Sequence, residues 1–228
     1  MPRVAVPFSD AGLPFSLTKT KNAGLDIAEA RIDLFQSTKP KNVAAALEHF
    51  KGIPTVATIR TKNEGGGWKG SEVARQDLFK SIIPLVDAVD IELSSADTLK
   101  KIGPLARKQG KLLIVSYHNF ETTPKLSALK KIIRNAEARG ADIVKIATQV
   151  DEAHPEHMES LINLLMQRMR KNLIVIGMGS EGVITRLMFP RLGSLITFAS
   201  DGNAATAPGQ VPYKQMSEML RLIYPAYC

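Results

Sequence analysis

The sequence predicts an α/β protein, a single (β/α)8 TIM barrel, and three observations support this. Eight short β-rich runs alternate with helical segments at fairly even spacing. Apolar residues in several intervening segments recur at helical spacing. No G-x-G-x-x-G fingerprint follows the first run, which disfavours an open doubly wound sheet. We therefore expect one closed barrel of parallel strands that forms a single domain over residues 1–228.

The predicted strands follow one another along the whole chain. Each is rich in β-branched and other apolar residues. In order they are RVAVPF (3–8), GLDIAEARIDL (24–34), PTVATIRT (54–61), AVDIELSS (88–95), KLLIVSYH (111–118), ADIVKIATQV (141–150), NLIVIGMG (172–179) and SLITFAS (194–200).

Helices are predicted between these strands and after the last one. The clearest are KNVAAALEHF (41–50), PEHMESLINLLMQRMR (155–170) and KQMSEMLRLI (214–223). Pro155 suits a first helical turn. Residues 98–109 contain Gly103-Pro104, so we expect a broken or short helix there.

Composition limits the class of protein. The 228 residues are 44% hydrophobic, enough for a full core, and no apolar run approaches a membrane span. The net charge of +8 favours anionic partners, but the basic residues are dispersed and aromatic residues are only 6%, so we expect no nucleic-acid surface. The N-terminus lacks a signal-peptide pattern, and Cys228 is the only cysteine, which fits a reducing cytoplasm.

Polar residues gather where the predicted strands end, which is where barrel active sites lie. Strand alternation places Glu29 with Arg31, Asp90 with Glu92, and Ser116 with His118 on shared faces. Further candidates at the other strand ends and loops are Arg60, Glu64, Lys145, Met178, Arg186 and the turn-rich segment TAPGQ (206–210). The glycines of GMGSEG (177–182) suit a loop that binds an anion.

Lys145 lies in the middle of an apolar strand, where a charged amine is costly unless it is paired, solvated or neutral. A lone buried lysine is more often structural than catalytic. A nucleophilic amine must be neutral, and burial beside cations favours the neutral form. A nearby histidine can move protons, and arginines bind carboxylates with forked donors. The joint pattern predicts a Schiff-base enzyme for an anionic carbonyl compound.

The remaining histidines do not suggest a metal site. His154 and His157 are three residues apart and can share a helix face, but we expect both to face solvent. His49 is also expected at the surface.

Seven blocks of the chain, in order, resemble the type I 3-dehydroquinate dehydratases of the shikimate pathway. The blocks are EARID (29–33), TIRTKNEGGGW (58–68), DIEL (90–93), LIVSYHNF (113–120), VKIA (144–147), GMGSEGVITR (177–186) and APGQ (207–210). The resemblance implies dehydration of 3-dehydroquinate to 3-dehydroshikimate, the third step of chorismate synthesis, by a carbon–oxygen hydro-lyase. It also implies a Schiff-base syn elimination with no metal or organic cofactor, and a cytoplasmic homodimer.

The resemblance also assigns roles to individual residues. Lys145 corresponds to the lysine that condenses with the C3 ketone, His118 to the general acid/base, and Glu64 to the carboxylate that orients this histidine. Arg186 corresponds to the residue that binds the substrate carboxylate. The other substrate-binding positions implied are Glu29, Arg31, Arg60, Met178, Phe198, Thr206 and Gln210.

Two departures and three alternatives accompany this interpretation. Thr206 stands where family members commonly have serine. The chain before the first strand leaves little room for the N-terminal hairpin that covers the barrel bottom in longer members, so we expect no such cap.

Another Schiff-base barrel such as an aldolase shares the lysine chemistry, but His118, Arg186 and APGQ favour dehydration. A basic binding module disagrees with the dispersed charge, and an inactive relative disagrees with the presence of both Lys145 and His118.

Overall fold

The computed structural model describes residues 2–22, 25–167, 172–202 and 206–225, and its strands form one parallel sheet. The strands are β1 (Arg3–Phe8), β2 (Ile27–Arg31), β3 (Thr55–Thr58), β4 (Ala88–Glu92), β5 (Leu112–Asn119), β6 (Ile143–Gln149), β7 (Asn172–Met178) and β8 (Ile196–Phe198). All eight predicted strands are confirmed, although β5 extends one residue further than predicted. Gly24, the start of the second predicted strand, lies outside the described residues.

Helices separate consecutive strands and follow the last one. They are α1 (Leu13–Asn22), α2 (Pro40–Leu47), α3 (Glu72–Ile82), α4 (Ala96–Lys108), α5 (Leu126–Ala138), α6 (Pro155–Met166), α7 (Val183–Leu192) and α8 (Tyr213–Ile223). The helices predicted around α2, α6 and α8 are confirmed, and Pro155 begins α6 as expected. The predicted end of the α6 segment, residues 168–170, lies outside the described residues.

The sheet curves into a nearly closed barrel. Its strand order is β7-β6-β5-β4-β3-β2-β1-β8, and every pair is parallel. The remaining gap between β7 and β8 is bridged where the backbone N–H of Leu195 donates to the carbonyl of Leu173 at 2.8 Å. The prediction of a closed barrel rather than an open sheet is therefore confirmed.

The barrel interior changes from apolar to polar along the strands. Its lower part is filled by side chains such as Ile27, Val56, Ile114, Ile143 and Ile174, which form one buried cluster. Two residues further along β2, β4 and β6, the same interior face carries a charged side chain. These charged side chains are Glu29, Asp90 and Lys145. The strand alternation thus places a polar layer directly above an apolar layer.

Helix α4 contradicts the expected break at Gly103-Pro104. It runs continuously through Pro104. Pro104 and Lys100 both lie on the exposed side of the helix. Because proline has no N–H, the carbonyl of Lys100 loses its helical donor, and it can accept a hydrogen bond from water instead. The opposite face packs Leu99 and Ile102 into the core, and this packing outweighs the local helix-breaking tendency.

The N-terminal end of the barrel carries no hairpin in the described part of the chain, where Pro2 leads directly into β1. Ile27, Leu112, Ile143 and Ile196 line the opening at this end. His49 is exposed, as predicted. Across the described ranges, every helix is too short or too polar to cross a membrane.

Candidate active site

A pocket opens at the C-terminal ends of the strands, where the active sites of parallel barrels lie. All the predicted site residues line it. They are Glu29, Arg31, Arg60, Glu64, His118, Lys145, Met178, Arg186, Phe198, Thr206 and Gln210. Four of these residues are Arg or Lys, and two are carboxylates.

Lys145 rises from the middle of β6 into the base of this pocket, with its side chain only 7% exposed. Its Nζ lies 3.2 Å from Asp90 Oδ2 and 3.6 Å from Glu29 Oε1. It also lies 4.3 Å from the centre of the Phe198 ring. The amine therefore contacts carboxylates and an aromatic face, whereas the sequence led us to expect adjacent cations.

Glu64 holds His118 through two contacts to one carboxylate oxygen. Glu64 Oε2 lies 3.0 Å from His118 Nδ1 and accepts the His118 backbone N–H at 3.0 Å. The Ser94 hydroxyl donates to Oε1 of the same carboxylate at 2.6 Å. Because the carboxylate accepts at Nδ1, the neutral imidazole carries its lone pair on Nε2.

Burial tunes the protonation of this pair. Desolvation, followed by repulsion from Arg60 and Lys145, holds the pKa of His118 well below its usual value. Desolvation also raises the pKa of Glu64, against the hydrogen bond from Ser94 and the charge of Arg60. His118 is therefore a neutral base near neutral pH, and its Nε2 is free for proton transfer.

Asp90 connects Lys145 to a buried arginine. Its Oδ1 accepts from Arg60 Nη2 at 2.8 Å and from the Ser116 hydroxyl at 2.6 Å, while Oδ2 faces Lys145. Arg60 also donates to Ser116 Oγ at 2.7 Å and lies 3.3 Å from Glu92. Although burial opposes ionisation of Asp90, the charges of Arg60 and Lys145 lower its pKa far below the ordinary value. A carboxylate thus remains beside the amine.

Two further polar pairs order the wall formed by β2. The Thr58 hydroxyl donates to Glu29 Oε1 at 2.7 Å. Arg31 makes a forked contact to Asp33, with N···O distances of 3.0 and 2.7 Å. Glu29 and Arg31 therefore each have their own partner and do not pair with each other.

Arg186 differs from the other buried cations of the pocket. It is 2% exposed, and its guanidinium donates to backbone carbonyls: Nε to Gly209 at 2.8 Å and Nη2 to Pro208 at 2.9 Å. No carboxylate in the described part of the chain lies within ion-pair distance of it. Burial alone lowers the pKa of Arg186 to about 10. An uncompensated guanidinium at a pocket wall is a site for an anionic group.

The segment TAPGQ closes one side of the pocket. Gln210 Oε1 accepts the Thr206 backbone N–H at 2.8 Å. Gly209 has a φ of +76°, and a Cβ at this position would lie 2.5 Å from the carbonyl oxygen of Gly179. The loop after β8 therefore packs closely on the glycine loop after β7, and Arg186 holds it from below.

Comparison with known proteins agrees with this geometry. A model of the family described as type I 3-dehydroquinase matches residues 12–226. The chain belongs to this family. It is 38% identical over 226 residues to the 3-dehydroquinate dehydratase of Aquifex aeolicus, covering 97% of this chain and 98% of the relative. It is 36% identical over 227 residues to that of Methanococcoides burtonii, covering 97% and 95%.

Solved structures of the family share the fold. The crystal structure of the 3-dehydroquinate dehydratase from Geobacillus kaustophilus superposes with a TM-score of 0.91 at 28% identity, covering 100% of this chain and 92% of that one. The recognition of a type I 3-dehydroquinase from seven short motifs is therefore confirmed.

Some residues of this type I 3-dehydroquinase site were given no role from sequence. Strand alternation indicated that Asp90 and Glu92 share a face of β4. The contact between Asp90 and Lys145 could not be predicted, because it depends on the curvature of the barrel. Ala147 and Ile176 follow from alternation with Lys145 and Met178. The lining residues that were not predicted are Gly65, Phe120, Ala147 and Ile176, and Ala207 was predicted only as part of the segment 206–210.

The expectation for the histidines after β6 is half wrong. His154 is exposed as predicted, but the His157 side chain is only 7% exposed. Its ring lies against the loop after β5, where Nε2 contacts Thr122 Oγ1 at 2.9 Å. Its place in the first turn of α6 gave no hint of this burial, because the covering loop is distant in sequence.

Proposed function

We propose that this type I 3-dehydroquinase converts 3-dehydroquinate to 3-dehydroshikimate through an imine on Lys145. One observation carries the proposal: a buried lysine and a neutral histidine line the same anion-suited pocket at the C-terminal mouth of the barrel. A catalytic amine, a proton carrier and a carboxylate anchor are what this elimination requires.

The imine makes the proton at C2 removable. Lys145 adds to the C3 ketone, and the carbinolamine loses water to give a protonated imine. Loss of the C2 proton leaves its electrons in a neutral enamine, which expels the C1 hydroxyl as water. Hydrolysis of the imine consumes one water, releases 3-dehydroshikimate and restores the amine, so the net change is the loss of one water.

Lys145 adds to the ketone as a neutral amine. Asp90 and Glu29, whose oxygens lie 3.2 and 3.6 Å from Nζ, stabilise the iminium cation that forms there. The Phe198 ring covers the amine and limits its contact with water. The two carboxylates therefore give electrostatic support to the intermediate.

His118 serves as the proton carrier in this mechanism. Glu64 fixes the ring through Nδ1, so Nε2 accepts and returns protons during carbinolamine breakdown, elimination and hydrolysis. Because His118 is neutral near pH 7, it begins as a base. Glu64 acts as a positioning residue, since it contacts the histidine and Ser94.

The remaining site residues bind and enclose the substrate in the proposal. Arg186 receives the substrate carboxylate, which supplies the charge that its surroundings lack. Arg31, Arg60 and Glu29 face the hydroxyl groups, and Met178 with Phe198 forms the apolar wall. Thr206 and Gln210 close over the ligand from the loop after β8.

Covalent trapping with an activity assay tests the proposal. Wild type converts 3-dehydroquinate to a product with the absorbance of a conjugated enone, and borohydride added with substrate inactivates it and adds ligand mass at Lys145. Lys145→Ala abolishes both, while Lys131→Ala, on an exposed face of α5, changes neither. Modification of another lysine, or full activity of Lys145→Ala, refutes the mechanism.

We also propose that the chain acts as a homodimer in the cytoplasm and that residues 1–228 form one catalytic domain. Ile184 and Met188 lie one turn apart on α7 and are 50% and 43% exposed, which supports self-association. The single cysteine supports a reducing compartment. A mass of one chain in sedimentation equilibrium contradicts the homodimer. Recovery of the protein outside the cytoplasmic fraction contradicts the cytoplasmic location.

A further inference from the structure

A cluster of imidazole and carboxylate groups lies outside the catalytic pocket, where β6 gives way to α6. We call it the β6–α6 cluster, and it comprises Asp151, His154, Glu156 and His157. His154, Glu156 and His157 each offer one donor atom, and these atoms lie within 4.8 Å of one another. None of the four residues lines the catalytic pocket.

Two buried atoms of the cluster lack hydrogen bonds. Throughout the described residues, neither His157 Nδ1 nor Asp151 Oδ1 has a partner. His157 Nδ1 faces Asp151 Oδ2 at 3.6 Å, which is too long for a hydrogen bond. A buried unsatisfied polar group is costly, and a cation bound beside these two atoms would remove that cost.

The spacing of the donor pairs suits a tetrahedral metal ion. Two ligands held about 2.0–2.1 Å from Zn²⁺ lie about 3.3–3.4 Å apart. The Nδ1–Oδ2 distance between His157 and Asp151 is 3.6 Å, and His154 Nδ1 lies 3.2 Å from Glu156 Oε1. Small side-chain rotations of the exposed His154 and Glu156 can bring the two pairs together.

Thr122 supplies the support that a metal-binding imidazole needs. Its hydroxyl lies 2.9 Å from His157 Nε2, which orients the ring and leaves Nδ1 free for an ion. His154 and Glu156 are 55% and 64% exposed, so an ion can enter from solvent. The site thus combines a buried, oriented ligand with accessible ones.

We propose that the β6–α6 cluster binds one divalent transition-metal ion of the zinc class. Mixed imidazole and carboxylate donors favour Zn²⁺ and its neighbours over Mg²⁺ or Ca²⁺. The ion fastens the loop after β6 to the loop after β5 through His157 and Thr122. These loops follow β5 and β6, the strands that carry His118 and Lys145, and the proposed role of the ion is structural. It departs from the sequence expectation that the chain has no metal ligands.

Metal titration of the tag-free full-length chain tests this site. After treatment with a chelator, wild type binds one equivalent of Zn²⁺ by calorimetry, and Co²⁺ gives the visible absorption bands of tetrahedral coordination. His154→Ala and Glu156→Gln alter exposed side chains, so folding is retained, and each weakens binding by more than about 100-fold. His49→Ala, at an exposed histidine elsewhere, binds as wild type does.

A second pair of variants tests the orienting contact. Thr122→Val weakens Zn²⁺ binding by about 10- to 100-fold, and Thr122→Ser restores it. Absence of Zn²⁺ binding by wild type overturns the proposal. So does equal affinity in His154→Ala and wild type, because the ion then binds elsewhere or the cluster is only an ion pair between His157 and Asp151.

Discussion

Glu64 Oε2 contacts both the ring Nδ1 and the backbone N–H of His118, each at 3.0 Å. A single oxygen therefore fixes the ring position and the tautomer together. Glu64 lies in a short 3₁₀ turn after β3, and Gly65 ends that turn with a φ of +76°. His118 is thus positioned by a loop from two strands away.

Replacement of His118 tests its role in proton transfer. His118→Ala lowers kcat by about 10²–10⁴-fold, because general acid/base assistance is lost from several steps. Slow borohydride trapping at Lys145 persists, since the amine remains. Stopped-flow absorbance and mass spectrometry measure the two effects, and near-normal turnover contradicts the role.

The depressed pKa of His118 predicts a pH dependence of stability. The unfolded chain takes up a proton at this histidine below about pH 6.5, whereas the folded chain does not. Since the unfolded state then binds more protons, the contribution of His118 lowers the free energy of unfolding as the pH falls. In urea unfolding at several pH values, the free energy of unfolding decreases less on acidification for His118→Asn than for wild type. Equal decreases contradict this prediction.

Strand ends and alternation are enough to predict much of this site. His118 and Arg60 lie where parallel strands end, and Lys145 stands out as a charged residue within an apolar strand. Glu64 and Arg186 were candidates from the following loop and helix, and the seven motifs implied their roles. Contacts between non-adjacent strands could not be predicted, because they depend on barrel curvature. Asp90 on β4 reaches Lys145 on β6 in this way.

Packing explains the other failures of sequence reasoning. Pro104 was expected to interrupt α4, but it lies on the solvent side while Leu99 and Ile102 anchor the opposite face. His157 was expected at the surface, but the loop after β5 covers it. Both outcomes depend on which face of a helix meets the core, and local propensity carries no such information.

Removal of the Asp90 charge tests the electrostatic link between Arg60 and Lys145. Asp90→Asn removes the negative charge that faces Arg60 and Lys145. Because breaking a buried ion pair is costly, we expect the free energy of unfolding to fall by about 3–5 kcal/mol. Asp77→Asn is the matched control, because the Lys80–Asp77 pair is exposed and such pairs contribute about 0–1 kcal/mol. Urea unfolding measures both variants, and similar losses in the two contradict the prediction.

Arg186 gives a test of substrate anchoring. Arg186→Ala raises KM by about 10- to 150-fold, the loss expected from a hydrogen bond to a charged group worth about 1.5–3 kcal/mol. Arg186→Lys recovers only part of this, because lysine lacks the forked donors. Arg191→Ala, an exposed residue of the same helix, leaves KM unchanged. If both Arg186 variants keep the wild-type KM, the substrate carboxylate binds elsewhere, with Arg60 the next candidate.

The loop containing TAPGQ gives the last prediction. Arg186 donates to the carbonyls of Pro208 and Gly209, so an anion that reaches this guanidinium also affects the loop backbone. We expect the loop to move in the free enzyme and to close when the reduced product adduct is trapped at Lys145, which shields the imine from bulk water. Hydrogen exchange over residues 200–212, of which 203–205 lie outside the described residues, slows on adduct formation in wild type.

Variants separate closure of this loop from simple contact with the ligand. Gly209→Ala forces a side chain into a left-handed conformation against the Gly179 carbonyl, so it weakens the protection and raises KM. Gly202→Ala is the control for Gly209→Ala, because Gly202 also has a positive φ but no atom lies near its position for a Cβ. Gln210→Ala removes the acceptor of the Thr206 N–H and lowers activity. Equal exchange with and without adduct, together with full activity of Gln210→Ala, contradicts closure. Slower exchange in wild type that is lost in Gly209→Ala and retained in Gly202→Ala supports it, because only the former disturbs the contact between the two loops.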